Sequence, residues 1–436
     1  MAVANRAGVL GIFLRPSPRE NLRIGTLVRD ATGVVTFEVD ENYIALGPTR
    51  PIVSLAWKGA TEEQSIARLR SRNDKSTRGN YLPPYFENLL PEGALLELVA
   101  KEFGTGAYDS FDVLRKLGAD LPGAVVAVAE AGQELPMAGG APAGKKPADR
   151  PIRFSLAGIQ LKFSMRYAKD RLTVPAHGEA GNVILKLATK KLAALPEAEF
   201  TALQLAKLAG VDVVESKLVY QNSIEGIPDE MIEVGTHALS VVRFDRAPEG
   251  RRIQTEDCAQ IIGAVGDQKY TKANQDTLLN MARRFSDDSA GAILEGVRRI
   301  VVDIMVGNGD DHLKNWSFIF EDGIRPKLSP AYDIVPTAAY APGDNMALKL
   351  AGTSDPTIVT IDRISSIAKF LKIDPAIIER EALATMEKIL DTWKDAAKDL
   401  PAPKSITDAI FDRWDTLAIV PDARTRLKAR AAKKTA

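Results

Sequence analysis

Gly309-Asp310-Asp311-His312-Leu313-Lys314-Asn315 is the stretch on which the reading of this chain turns. It follows an apolar run, Ile300-Val301-Val302-Asp303-Ile304-Met305-Val306, the end of a helix predicted over residues 290–306 with Ser289 as its N-cap. Asp310 and Asn315 stand five positions apart. One offers a carboxylate to a proton, the other an amide oxygen to a cation. A second carboxylate follows in Leu328-Ser329-Pro330-Ala331-Tyr332-Asp333. Such a set can place charge at three points, and that is most of what phosphoryl transfer asks of a protein. Asp311 is the rival base, but it lies four positions from Asn315 rather than five. His312 is placed to position the acid or to meet a phosphate. Two other readings stay open. Asp310-Asp311-His312 can be taken as metal ligands of a hydrolase, although the chain has only three histidines, His177, His237 and His312. The stretch can also be a polar loop that caps a helix.

An Asp-x-x-x-x-Asn behind an apolar helix is the catalytic-loop spacing of protein kinases, and the upstream order extends the match. Val183-Ile184-Leu185-Lys186-Leu187 reads as an apolar strand carrying one lysine. A charge in such a strand is costly to bury without a partner, which suits a phosphate-gripping role; the competing reading is a lysine on an exposed edge. The next helix, over residues 197–208, supplies Glu199 or Glu197 as an ion-pair partner for Lys186, with Glu199 preferred because it lies beyond the helix start. Acids in a first turn also suit the helix dipole on their own account. Ser155-Leu156-Ala157-Gly158-Ile159-Gln160-Leu161-Lys162 lies between two predicted strands. It is too poor in glycine for a kinase Gly-rich loop and lacks the Walker ending. Its position is the argument: a loop there would cover ATP phosphates, with Lys162 adding a second positive charge.

Outward from these motifs the chain divides. Strands are expected at residues 9–14 and 24–38, helices at 61–72 and 86–103, and a helix capped by Ser110 over 111–117. A strand follows at 124–128. Residues 131–150 are rich in Pro, Gly and Ala, without periodicity, and read as a linker or surface loop. Strands at 161–165, 183–187, 218–220 and 238–244 surround the helix 197–208, with Arg243-Phe244-Asp245 near the hinge. Helices dominate from about residue 255 onward, including one over 375–390 opened by Asp374-Pro375. The expected architecture is α+β and two-lobed, like a protein kinase. It comprises an N-terminal β-rich subdomain (1–130), the linker (131–150), a β-rich small lobe (151–250) and a helical large lobe bearing the catalytic loop (251–436).

Composition sets the outer limits. The chain has 436 residues, 45 % hydrophobic and 26 % charged, ample for a large core. Its formal net charge is zero, so no overall field advertises nucleic acid. One cysteine, Cys258, excludes a disulfide framework and points to a reducing cytoplasm; it reads as a buried structural thiol. No apolar run approaches the roughly 18–20 residues of a membrane span, and the short patch 9–14 reads as a strand rather than a signal peptide. The basic tail from Arg424 to Lys434 carries six positive residues and no acid, and reads as a solvated terminus rather than a nucleic-acid arm.

Taken together, the motifs are similar to those of the HipA family of bacterial serine/threonine kinases, the toxin half of a toxin–antitoxin pair. The resemblance rests on Ser155 to Lys162, Ile184-Leu185-Lys186-Leu187, Val242-Arg243-Phe244-Asp245-Arg246, Glu256-Asp257-Cys258, Gly309 to Asn315 and Leu328 to Asp333. The N-terminal Phe86-Glu87-Asn88-Leu89-Leu90-Pro91 and Phe111-Asp112-Val113-Leu114 also match. It implies Mg-ATP as cofactor, Asp310 as catalytic base, Asn315 and Asp333 as Mg²⁺ ligands and Lys186 as phosphate anchor. ATP contacts would extend over Ser155, Ala157, Gly158, Lys162, His312, Lys314 and Tyr332, with backbone groups at Val242, Arg243 and Phe244 holding adenine. Ser155 would be the autophosphorylated loop serine. The implied substrate is a protein, an aminoacyl-tRNA synthetase, whose modification halts translation and growth. The implied partner is a HipB-like helix-turn-helix antitoxin, with operator DNA reached mainly through that complex. Two alternatives remain: a kinase-like small-molecule phosphotransferase, and a catalytically silent scaffold for a DNA-binding partner.

Overall fold

A computed structural model describes residues 7–17, 19–92, 109–130, 162–168, 171–173, 181–189, 192, 194–225, 235–247 and 249–435. The expected linker 131–150 and the loop bearing Ser155, Ala157 and Gly158 lie outside the described residues. The chain forms two compact units: one of Met1–Thr189, Val219–Gly266 and Ile319–Arg325, the other of Lys190–Leu218, Asp267–Phe318 and Pro326–Ala436.

The first unit holds an N-terminal sheet. Its strands are β1 (Gly8–Ser17), β2 (Glu20–Arg29), β3 (Val34–Val39), β4 (Ser76–Arg78) and β5 (Val125–Ala129), in the order β4-β3-β2-β1-β5. The pairs β1–β2, β2–β3, β3–β4 and β1–β5 are all antiparallel. The segment expected as one strand over 24–38 is thus two. The break is chemical: Asp30 Oδ1 accepts the amides of Thr32 and Val34, and Gly33 supplies the positive φ of 80° that closes the hairpin. Leu10, Ile12 and Leu14 alternate onto the core face, where Phe37 meets Trp57 and Phe86 at ring distances of 5.6 and 4.8 Å. The helix expected over 86–103 is in fact the short Pro84–Glu87, and residues 88–92 are not helical; residues 93–108 lie outside the described residues. The helix Ser110–Leu117 is capped by Asp109, not Ser110. The Asp109 carboxylate takes the amides of Phe111 and Asp112 and also pairs with buried Arg29 at 2.7 Å. Ser110 instead donates its hydroxyl to Glu87, 2.9 Å away.

The second sheet has the order β10-β7-β6-β8-β11-β9. Its strands are β6 (Lys162–Ala168), β7 (Arg171–Thr173), β8 (Val183–Lys186), β9 (Ser216–Tyr220), β10 (Ile224–Glu225) and β11 (His237–Val242). Every residue of β8 is buried, so its apolar run does not alternate; that is the pattern of an interior strand.

The other unit is helical. Its long members are Leu195–Leu208, Gln275–Phe285, Ser289–Val306, Pro375–Ala396 and Ile419–Thr435. Ser289–Val306 is buried on almost all sides. Its N-cap is Asp288 rather than Ser289, because the Asp288 carboxylate accepts the Gly291 amide at 2.9 Å. At the other end Gly307 takes φ 80°, while Arg413 and Trp414 donate to the carbonyls of Ile304 and Met305. Among the described residues, no helix is long and apolar enough to cross a membrane.

Candidate active site

The loop after Ser289–Val306 is built by its own backbone. The amides of Gly307 and Asn308 both return to the Asp303 carbonyl. Asn308, itself buried, donates its side chain to Asp303 Oδ1 at 2.8 Å and accepts the Asp310 amide at 3.2 Å. Gly309 donates to Thr337 Oγ1 at 2.7 Å, and a Cβ there would sit 2.6 Å from the Asp344 carboxylate. Only glycine lets the loop pass that close.

The two neighbouring acids now separate. Asp310 is exposed, and its Oδ1 accepts the Tyr270 hydroxyl at 2.9 Å. Asp311 is buried and accepts Gln275 Nε2 and Trp316 Nε1, each at 2.9 Å. Burial raises the Asp311 carboxyl above its ordinary range, and burial together with the Asp311 charge raises Asp303 well above it. Asp311 therefore works as a buckle beneath the loop. Asp310 is the acid of the pair left exposed.

Leu313–Asn315 forms a single 3-10 turn, with the Asn315 amide on the His312 carbonyl at 2.9 Å. Asn315 Nδ2 donates to the Asp310 carbonyl at 3.0 Å. That bond fixes the other end of the amide, Oδ1, as the oxygen available to a hard cation. Tyr332 ties the following acid to this loop: its hydroxyl donates to the Lys314 carbonyl at 2.7 Å and meets Ser317 Oγ at 2.5 Å. Ala331, next to it, is bridged to residues 212–214 by the bonds Ala331 N to Asp212 O and Val214 N to Ala331 O. Asp333 then leaves in the left-handed region, φ 56°, which a non-glycine residue adopts only where its surroundings impose it. An amide oxygen and a carboxylate on one anchored loop pair suit Mg²⁺ by donor type. Among the described residues no cluster of three or more His, Cys, Asp or Glu is placed to hold a metal ion. His312 and Lys314 are both buried. The His312 ring lies edge-on to Tyr270, 5.2 Å between centroids.

In the other unit, Lys186 ends β8 and is 4 % exposed, while Lys162 opens β6 and is 7 % exposed. The antiparallel register sets them opposite one another. The edge-strand reading of Lys186 thereby fails, since β8 has β6 on one side and β11 on the other. Glu199 is buried on the helix Leu195–Leu208. Val242 is exposed at the end of β11, whereas Arg243 turns inward. The Arg243 amide bonds the Asn182 carbonyl at 3.0 Å. Its guanidinium holds Asp245 at 2.8 Å and Asp120 at 3.2 Å, and Arg246 grips the same two acids at 2.8 and 3.0 Å. Burial opposes these charges, but the pairing outweighs it: Asp245 is driven well below the usual carboxylate range and Arg243 upward. Val242-Arg243-Phe244-Asp245-Arg246 thus carries a structural ion cluster.

Sequence reasoning missed Tyr270, Gln275 and Asn308, because none belongs to a spaced motif. Asp303 did give a signal, as an acid inside an apolar helical run.

Comparison with known proteins follows this geometry. A family model described as HipA-like C-terminal domain matches residues 154–399, and one described as HipA N-terminal domain matches residues 19–128. The chain is 35 % identical over 413 residues to "Putative kinase Y4dM" of Sinorhizobium fredii, covering 91 % of this chain and 95 % of that protein. It is 24 % identical over 302 residues to the serine/threonine-protein kinase toxin HipA of Shewanella oneidensis, covering 61 % of this chain and 66 % of that protein. A solved structure from Shewanella oneidensis MR-1, of HipA with HipB and operator DNA, superposes with a TM-score of 0.69 at 19 % identity, covering 95 % of this chain and 99 % of that chain. The fold is accordingly the two-lobed, kinase-like α+β fold with a β-rich N-terminal part.

Proposed function

The chain belongs to the HipA family, and from that premise we propose that it is a serine/threonine-protein kinase that uses Mg-ATP and serves as the toxin of a toxin–antitoxin pair. The observation that carries the proposal is the division of labour between Asp310, exposed and oriented, and Asp311, buried and structural. The acceptor hydroxyl attacks the γ-phosphorus and gives its proton to Asp310, the bond to the β–γ bridging oxygen breaks, and ADP leaves. Asn315 and Asp333 would hold Mg²⁺, and the cation would supply neutralisation of charge on the phosphates. Lys186 and Lys162 take the phosphates, with Glu199 as the acid that orients Lys186. Backbone groups at Val242 and Phe244 hold adenine; the Arg243 amide is already bonded to Asn182. His312, Lys314 and Tyr332 complete the nucleotide side through the loop they shape.

The further terms rest on family membership. The protein substrate is an aminoacyl-tRNA synthetase, the loop serine Ser155 with Ala157 and Gly158 covers ATP and is autophosphorylated, and a helix-turn-helix antitoxin neutralises the enzyme and carries it to operator DNA in the cytoplasm. The structure of HipA with HipB and operator DNA supports the partner, since its HipA fold spans this chain. The test is incubation of the purified chain with γ-labelled ATP and Mg²⁺, alone and with a panel of aminoacyl-tRNA synthetases. Label should enter protein, and Asp310→Asn should abolish it. Label entering the Asp310→Asn variant at the wild-type rate refutes the proposal.

A further inference from the structure

Tyr270 ends the short turn Gly266–Tyr270, and no motif in the sequence points to it. Its hydroxyl lies 2.9 Å from Asp310 Oδ1, and its ring packs edge-on against His312 of the same loop. The turn is closed by the amides of Thr271 and Lys272 on the Gln268 carbonyl. A few residues on, Gln275 donates to Asp311, and its own amide is fixed to the Lys349 carbonyl. One segment therefore holds both acids of the loop, each through a different side chain. Asp311 is locked by burial as well. Asp310 is exposed, so packing alone does not fix its χ angles, and a directed hydrogen bond contributes to its orientation.

We propose that Tyr270 is a positioning residue for phosphoryl transfer: its hydroxyl donates to Asp310 Oδ1 and so sets Oδ2 as the oxygen that takes the acceptor proton. The inference rests on Asp310 being the base of the reaction proposed above. A base held in one orientation before the substrate arrives loses no freedom at the transition state, which is where such a bond acts. Substrate and nucleotide affinity do not depend on it.

The test uses the full chain with Mg-ATP, reading phosphate transfer to casein and to the chain itself. Tyr270→Phe keeps the ring against His312 and removes only the hydroxyl. Expected is a fall in kcat of about tenfold, with the KM values for ATP and casein within about twofold and the thermal midpoint unchanged. Asp310→Asn is run alongside and should be inactive. Inactive Asp310→Asn with an unchanged or raised kcat in Tyr270→Phe overturns the positioning role alone; a raised kcat would mean that the hydroxyl competes with the acceptor. A change confined to KM overturns it as well. Activity retained in Asp310→Asn, or absent from the wild type with both acceptors, overturns the kinase assignment and this inference with it.

Discussion

Lys162 and Lys186 face each other across antiparallel β6 and β8, and both side chains are buried. Directly opposed residues of a sheet present their side chains on one face, about 5 Å apart at Cβ, and like charges so placed are unfavourable. A triphosphate on that face would meet both charges at once, and it is the anion of the proposed reaction. Lys162→Met and Lys186→Met should each weaken ATP binding by at least about tenfold, a loss of ~1.4 kcal/mol. The double variant should lose less than the two single effects combined, since both charges serve one ligand. Titration calorimetry decides; unaltered affinity in both single variants would end the phosphate assignment.

The two acids of the catalytic loop should fail in different ways. Asp310→Asn should lower turnover by roughly 10² or more while leaving stability within about 0.5 kcal/mol of the wild type. Asp311→Ala should cost about 2–4 kcal/mol, because buried donors on Gln275 and Trp316 lose their shared acceptor. Urea unfolding combined with phosphate incorporation separates the two. Equal stability losses would show that burial does not distinguish them.

Glu256 provides a pH prediction in the first unit. It is fully buried, accepting Ser54 Oγ at 2.5 Å and the Leu55 amide at 2.7 Å, and burial pushes its carboxyl up to about 8. The folded value lies above the ordinary 4.5. The folded state therefore holds its proton longer than the unfolded chain does. The contribution is fully present below about 4.5 and is lost as pH rises towards 8. Glu256→Gln keeps the shape without the charge. Thermal midpoints between pH 5 and 8 should decline less steeply in this variant, and at pH 8 it should be the more stable protein. Parallel curves for the two proteins would count against a protonated Glu256.

The cluster of Arg243, Arg246, Asp120 and Asp245 should be intolerant of single changes. Arg243→Met leaves buried carboxylates short of charge and should cost about 3–5 kcal/mol. Ser164 lies inside the same cluster, donating to Asp120 at 2.9 Å and receiving Arg243 at 3.1 Å, and is 1 % exposed. Mass spectrometry of enzyme incubated with Mg-ATP should accordingly find phosphate on Ser155 and none on Ser164. Phosphate on Ser164 of folded protein would contradict the burial described here.

The sequence offered its candidates where the proposed chemistry depends on spacing. Asp310 and Asn315 lie in one short loop, so distance along the chain is enough to bring them together. The sequence also separated Asp310 from Asp311 by one position, but it held no sign of which acid would be buried, because that depends on Gln275 and Trp316 arriving from either side. The ion pairing of the Arg243 side chain was hidden for the same reason: Asp120, its partner, lies 123 positions away. Helix starts were misplaced by a residue at Ser110 and Ser289, since an aspartate preceded each serine and ionised carboxylates cap as well as hydroxyls do. Register was beyond reading altogether, and with it the opposition of Lys162 and Lys186.

The anchoring of Tyr332 bears on inhibitor chemistry. Some compounds gain selectivity by inducing the metal-binding acid of a kinase to turn out of its site. Here that rotation would have to pull the Tyr332 hydroxyl from Lys314 and Ser317 and open the Ala331 bridge to Asp212 and Val214. Four bonds would be broken to move one residue already fixed at φ 56°. If Asp333 is the metal-binding acid, as proposed, compounds that compete with the nucleotide while leaving Asp333 in place are the better starting point.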